Sequence, residues 1–320
     1  MSGGSRLRAW AELLRLPALF TVPGDALAGA AAIGVRPHRG TLLAVGSSLC
    51  LYEAGMALND WADRAEDAVD RPARPIPSGR VHPAAALTAA GAFTTAGVAL
   101  AFRAGRTAGI LGTGLAATVW AYDLSLKHTP AGPLAMAAAR GLDVLLGAAA
   151  TAGPASEGPP GQGHLATHAA QATHAARDPL ASPARAALNA ALALAAHTAA
   201  VTAVSRNETT GGDPVAPAAA LAVTGALTHH LRRPPAGRGA AAPLGLPGPA
   251  AYAATAVRPL FHATLNPSPP LTQRAVGAGI RAMIPLQAAL AARFGALGSA
   301  LFTAALAPLA GRFAKKVSVT

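Results

Sequence analysis

The chain has 320 residues, a formal net charge of +12 and a pI near 11.4, with 52% hydrophobic and only 12% charged residues. A soluble domain spends about a quarter of its residues on Asp, Glu, Lys and Arg. Half that share cannot wet the surface of a globule this size, and such apolar content also excludes a disordered chain. The apolar mass is Ala and Leu, aromatics are 4%, and mean hydropathy is +0.36. That balance favours helix over strand and predicts an all-α polytopic membrane protein. The basic residues, nearly all Arg, sit singly or in small groups between apolar stretches. This is the pattern of loops anchoring spans, not of a nucleic-acid-binding face. The single cysteine, Cys50, excludes a disulfide framework and a Cys-based metal site.

A membrane-spanning helix needs about 20 mostly apolar residues. Candidates follow one another at 16–35, 41–58, 84–101, 108–122, 134–153, 186–204, 215–231 and 249–265, then a long tract at 275–310. The expected count is nine, with the last tract as an interfacial helix plus one span; two spans there would make ten. The first apolar stretch runs on into a full span without a small-residue cleavage site, so no cleavable signal peptide is expected. Arginines divide almost evenly between the two sides, and charge bias does not set the orientation. A Pro-, Gly- and His-rich stretch at 154–183 reads as an extramembrane insertion. Its His164, His168 and His174 have no acid at matching spacing and read as part of a solvated linker rather than a metal site.

Only 14 residues are acidic, and Asp60, Asp63, Glu66, Asp67 and Asp70 fall just after the second span. On a helix, Asp60, Asp63, Asp67 and Asp70 share one face. Like charges there repel, the more so at a membrane edge. The row is either a solvated acidic loop or an oxygen-only ligand set, which selects a hard divalent ion such as Mg²⁺.

The segment NDWADRAEDAVDRPARPIPSGRV from Asn59 to Val81 resembles the first Asp-rich signature of the UbiA superfamily of intramembrane prenyltransferases. That signature is NDxxDxxxD followed by a basic RPxRPxPSG run. The match falls on Asn59, Asp60, Asp63 and Asp67, then Arg71, Pro72, Arg74, Pro75, Pro77, Ser78 and Gly79. WAYDLSLKHTPAG, from Trp120 to Gly132, resembles the family's Tyr/Lys segment through Tyr122 and Lys127. The family's second acidic signature, DxxxD, aligns with SRNETTGGD from Ser205 to Asp213. Here the chain departs, with Glu208 and Asp213 five apart. SRNETTGG and TVPGDALAG look most like the EboC-type bacterial branch.

The resemblance implies one domain over 1–320, a bundle of about nine transmembrane helices around a central cavity. Asp-rich loops cap its cytoplasmic mouth in a bacterial-type plasma membrane. It implies Mg²⁺ as cofactor, held by Asp60, Asp63 and Asp67 with Glu208 or Asp213. The partners are an isoprenoid diphosphate and a small acceptor, in the presence of membrane lipid and without nucleic acid. Asn59, Asp60, Asp63, Asp67, Tyr122 and Lys127 would be catalytic. Arg71, Arg74, Arg140, Asp143 and Arg206 would bind substrate. Scarce aromatics tilt the acceptor towards a hydroxylated, non-aromatic molecule. Arg140 and Asp143 lie one helical turn apart inside a span and are functional groups or an ion pair. Asp25 and Glu53, also inside spans, either line the cavity or pair with an arginine. The alternative of another class is a multispan transporter using the acids as a cation site. The chain carries no evident inverted repeat, and the acids sit at a loop rather than midspan.

Overall fold

A computed structural model describes residues 3–153, 182–233 and 247–317. Every regular element there is helical. In chain order they are α1 (Gly3–Leu13), a 3₁₀ turn (Leu16–Thr21), α2 (Pro23–Ala32), α3 (Arg39–Ala62), α4 (Arg64–Asp70), α5 (Pro83–Ala104) and α6 (Arg106–Ala121). A π-turn (Tyr122–Leu126), α7 (Gly132–Ala152), α8 (Pro183–Ser205), α9 (Val215–Arg232), α10 (Gly248–Leu265), α11 (Pro269–Arg293) and α12 (Leu297–Val317) follow. Residues 154–181, which carry His164, His168 and His174, lie outside the described residues.

Local chemistry sets the boundaries. His38 caps α3, its side chain accepting from the Gly40 amide while Thr41 accepts from the His38 amide. His82 and Ser182 cap α5 and α8, each followed by a proline at the first helical position, where its missing N–H costs nothing. The expected span at 16–35 is interrupted instead. Pro23 has no N–H to bond back into the preceding turn, so the chain makes a 3₁₀ turn and restarts as α2. The tract at 275–310 is two helices, α11 and α12, parted at Gly295, whose φ of 79° suits glycine.

Among the described residues, five helices, α3, α5, α7, α8 and α11, are long and apolar enough to cross a membrane. The shorter α2, α6, α9 and α10 pack among them, roughly in line with nine spans.

One half of the bundle is α3 against α5 and α6 against α7; the other is α8 to α12. The halves join where α7 meets α8 and where α2 lies between α7 and α11. At the α2–α7 crossing the backbones nearly touch. A Cβ on Gly147 would stand 2.3 Å from the Ala26 Cα, and one on Gly29 would stand 2.1 Å from the Val144 carbonyl oxygen. Small residues at helix contacts replace the missing hydrophobic drive between helices in lipid. The second half has a buried polar tie. His197 lies 3.0 Å from both the Gly279 carbonyl oxygen and the Tyr252 hydroxyl. A carbonyl only accepts, so Nε2 carries the proton and Nδ1 accepts from Tyr252.

Candidate active site

The Asp row straddles a helix joint. α3 ends at Ala62, Asp63 is the connecting residue and α4 begins at Arg64. Asp60 and Asp67 turn inward and are buried, Asp63 is half-buried, and Asp70 is exposed. The four-acid face read from spacing is thus a three-acid face, because the chain re-aims at Asp63. Each inward acid meets a base. Arg74 Nη1 stands 2.6 Å from Asp67 Oδ2 and 3.5 Å from Asp60 Oδ1, with its guanidinium between the two carboxylates. Arg71 lies 3.9 Å from Asp67, and Lys127 is paired with Asp63.

Arg74 reaches back because the run from Arg71 to Val81 folds into turns. Val81 donates to the Pro75 carbonyl at 2.9 Å, and Gly79 takes a φ of 71°. Arg80 closes the run with a two-pronged bond to Glu12, at 2.6 and 3.0 Å. Lys127 is aimed by the π-turn. Its amide bonds to the Tyr122 carbonyl five residues back, at 3.0 Å. The extra residue per turn is a device often met at functional sites.

Two members of this cluster escaped the sequence reading. Arg15 donates to Asp60 Oδ1 at 3.1 Å and to Asn59 Oδ1 at 3.3 Å. It is the one non-glycine with positive φ among the described residues, at 48°. Such a conformation is uncommon and costs backbone energy. Asp123, buried beside Tyr122, accepts from Asn59 Nδ2 at 3.1 Å. Burial foremost pushes its carboxyl up to about 6, against the downward pull of the Asn59 bond and the Lys127 charge. Its only sequence signal was scarcity, one of 14 acids, inside a segment noted for Tyr122 and Lys127.

Beneath these groups lies a cavity of ≈ 220 Å³. Asn59, Tyr122, Asp123 and Arg15 line its mouth. Val22, Leu51, Met56, Leu115, Val119 and Met136 give it apolar walls, and Ser48, Tyr52, Arg140 and Asp143 make a polar inner end. Ser48 and Asn59 are eleven residues apart on α3, so the cavity runs about 16 Å along the helix. Of the two alternatives for Arg140 and Asp143, the ion pair between them does not form. Arg140 pairs with Asp25, which also accepts from Gln287 Nε2 at 2.7 Å, while Asp143 accepts from Ser48. An i, i+3 pair on α7 is displaced because α2, broken at Pro23, brings a fully buried carboxylate to the same arginine. Glu53 is buried with neither carboxylate oxygen hydrogen-bonded among the described residues, and it does not line the cavity.

The segment at the second acidic signature approaches through Arg206, which donates to the Thr129 carbonyl at 2.7 Å and so touches the Lys127 loop. Asp213 is occupied otherwise. It caps α9, accepting from the Val215 and Ala216 amides at 2.8 and 3.3 Å and from Asn207 at 3.0 Å. Glu208 is half-buried and makes no ion pair among the described residues.

The donors at the mouth fit Mg²⁺. Asp60, Asp63 and Asp67 offer hard oxygen donors, and a single cationic nitrogen already bridges two of them. A ligand atom each from Asp63, Glu66 and His128 also lie within 4.8 Å of one another, on the outer side.

The model of the UbiA prenyltransferase family matches residues 18–223. The chain belongs to the UbiA prenyltransferase family. Two curated relatives, from Ignicoccus hospitalis and Methanopyrus kandleri, are each named digeranylgeranylglyceryl phosphate synthase. The first is 34% identical over 158 residues, 49% of this chain and 52% of the relative. The second is 37% identical over 130 residues, 39% of this chain and 46% of the relative. The chain thus matches about half the length of these UbiA-related proteins. Among solved structures, the apo form of a UbiA homologue from Aeropyrum pernix K1 is similar with a TM-score of 0.59. It covers 85% of this chain and 96% of the homologue at 17% identity, a likeness of fold. The five curated matches carry the synthase name rather than that of the EboC-type branch.

Proposed function

We propose that this UbiA family member transfers a prenyl group from an isoprenoid diphosphate to a small hydroxylated acceptor inside the membrane, with Mg²⁺ as cofactor and release of pyrophosphate. The observation that carries this reading is the convergence of Asp60, Asp63, Asp67, Arg74 and Lys127 beside Arg15, Asn59 and Asp123, which line the mouth of a largely apolar cavity. Bases at that mouth hold diphosphate oxygens, and the walls below take the apolar tail.

Mg²⁺ held by Asp60, Asp63 and Asp67 would supply charge to neutralise the departing diphosphate. Arg71 and Arg74, presented by the proline-rich turns, grip its oxygens in the planar, forked manner guanidinium allows. Lys127, aimed by the π-turn, adds a point charge where the carbon–oxygen bond breaks. The allylic cation that remains is shielded by the dry walls and the ring face of Tyr122. Arg206 binds the Thr129 carbonyl and so holds the Lys127 loop. Arg140 and Asp143 offer polar contacts to a substrate at the inner end. Glu208 remains available to the diphosphate cap, whereas Asp213 serves the α9 terminus. The Asp-rich side faces the cytoplasm in this reading. The acceptor class draws support from the relatives, whose named product is a glyceryl phosphate bearing prenyl chains, and from a cavity with only two aromatic lining residues, Tyr52 and Tyr122.

The test is pyrophosphate release by purified protein in detergent given geranylgeranyl diphosphate and geranylgeranylglyceryl phosphate as acceptor probe. Release is expected with Mg²⁺ and abolished by EDTA. Asp63→Ala should lose it while melting within a few degrees of wild type. A folded Asp63→Ala protein with full turnover would refute the site. A transport reading draws no support from relatives that are all named as synthases.

A further inference from the structure

Four carboxylates reach the mouth of the cavity or its rim, and three are already answered by cations. Asp60 meets Arg15 and Arg74, Asp67 meets Arg74 and Arg71, and Asp63 meets Lys127. The fourth, Asp123, makes no salt bridge among the described residues. It is 4% exposed, lines the cavity, and has one oxygen hydrogen-bonded to the Asn59 amide. Its second oxygen has no hydrogen-bond partner among the described residues, although the carboxylate borders open space rather than packed side chains. Asp143 also lines the cavity, but it is held by Ser48 at the inner end, about 16 Å away along the helices.

Resting on the prenyltransferase reading above, we propose that Asp123 is the catalytic base that takes the proton from the acceptor hydroxyl as that oxygen bonds to the prenyl carbon. The carbon–oxygen bond to diphosphate breaks with its electron pair leaving on diphosphate. The acceptor oxygen supplies the pair for the new carbon–oxygen bond, and its proton moves to the Asp123 carboxylate, to be lost to water when product leaves. No oxidant or further reactant is needed. Asn59 is the positioning residue: its amide fixes one carboxylate oxygen and leaves the other facing the cavity.

The groups around Asp123 suit the task. Asn59 faces it from α3, Asp63 from the joint, Arg15 from just before the 3₁₀ turn, and Tyr122 and Lys127 from its own segment. Two positive charges against one negative keep the carboxylate ionised near neutral pH. Burial raises its proton affinity to about 6, where a base both ionises and binds a proton well.

The experiment uses the full chain in detergent with Mg²⁺, geranylgeranyl diphosphate and geranylgeranylglyceryl phosphate as acceptor probe. Rates are measured from about pH 5 to about pH 9, alongside calorimetric binding of the non-reactive thio analogue of the diphosphate. Asp123→Asn keeps the shape and can still accept from Asn59. It should lower kcat about 100- to 1,000-fold, leave analogue binding within about twofold, and abolish the acidic limb of the kcat profile. Asp123→Glu should recover part of the rate together with that limb. Rates for Asp123→Asn within about threefold of wild type, or a loss confined to analogue binding, would overturn the proposal. So would a wild-type kcat with no acidic limb anywhere in that pH range, a readout that stands even where the variant fails to fold. A wild type that cleaves no prenyl diphosphate refutes the prenyltransferase reading itself, a different failure from an active Asp123→Asn.

Discussion

Arg140 and Asp25 test how the bundle carries charge through its middle. Asp25 is fully buried, and the Arg140 side chain is 16% exposed, facing the cavity. Removing the arginine as Arg140→Leu leaves the Asp25 carboxylate without a cation in surroundings that cannot solvate it, although the Gln287 amide still donates to it at 2.7 Å. Breaking one side of a buried pair costs about 3–5 kcal/mol, whereas replacing both partners by apolar groups of similar size is often neutral. At about 2 °C per kcal/mol for a chain of this size, Arg140→Leu should melt on the order of 6–10 °C below wild type. Adding Asp25→Leu should restore most of that loss, since Gln287 keeps its bond to the Thr21 carbonyl, also at 2.7 Å. Thermal unfolding of the two single variants and the double variant in one detergent gives the cycle. A single Arg140→Leu variant as stable as wild type, or a double variant no better than the singles, would refute the reasoning.

Lys127→Ala should slow turnover at least tenfold, more than Lys127→Arg, because the arginine keeps a cation against Asp63; equal wild-type rates for both would remove Lys127 from the site. Gly147→Ala drives a methyl against the Ala26 backbone and should cost about 1–3 kcal/mol, read as a lower melting temperature. Gly91→Ala, on the open side of α5 with nothing within 4 Å, should instead be neutral or stabilising by about 0.5–1 kcal/mol. Tyr252→Phe orphans His197 Nδ1 and should cost about 1–3 kcal/mol, detectable by the same melting assay; an unchanged midpoint would show that water replaces the hydroxyl.

The sequence was readable where a feature is local. Long Ala- and Leu-rich runs announced the helices, and the spacing of Asp60, Asp63 and Asp67 announced a shared face. What could not be read is which remote base answers which acid. Arg15 lies 45 residues from Asp60, and Asn59 lies 64 from Asp123. Such pairings follow from how helices cross, which spacing along one helix does not encode. The same gap misled the inner cluster, where Arg140 and Asp143 share a helix face yet take separate partners from α2 and α3.

The mouth of the cavity shows how the fold offsets the mutual repulsion of an acid row this dense. Each inward carboxylate draws a cation from a different segment: Arg15 before the 3₁₀ turn, Arg74 from the proline-rich turns, Lys127 after the π-turn. All three segments depart from regular α-helix, one with a positive-φ arginine, one with a glycine at φ 71° and one with an i to i+5 bond. A straight helix would point its bases outward along its own face. The irregular turns bend them in, so their backbone cost is balanced by charge pairing at an edge of low dielectric. Flattening one of these turns should therefore loosen its acid partner as well as its own loop. Loss of the Arg15 contact would take one partner from Asn59 and one from Asp60 together, leaving Asn59 its bond to Asp123 and Asp60 its pairing with Arg74.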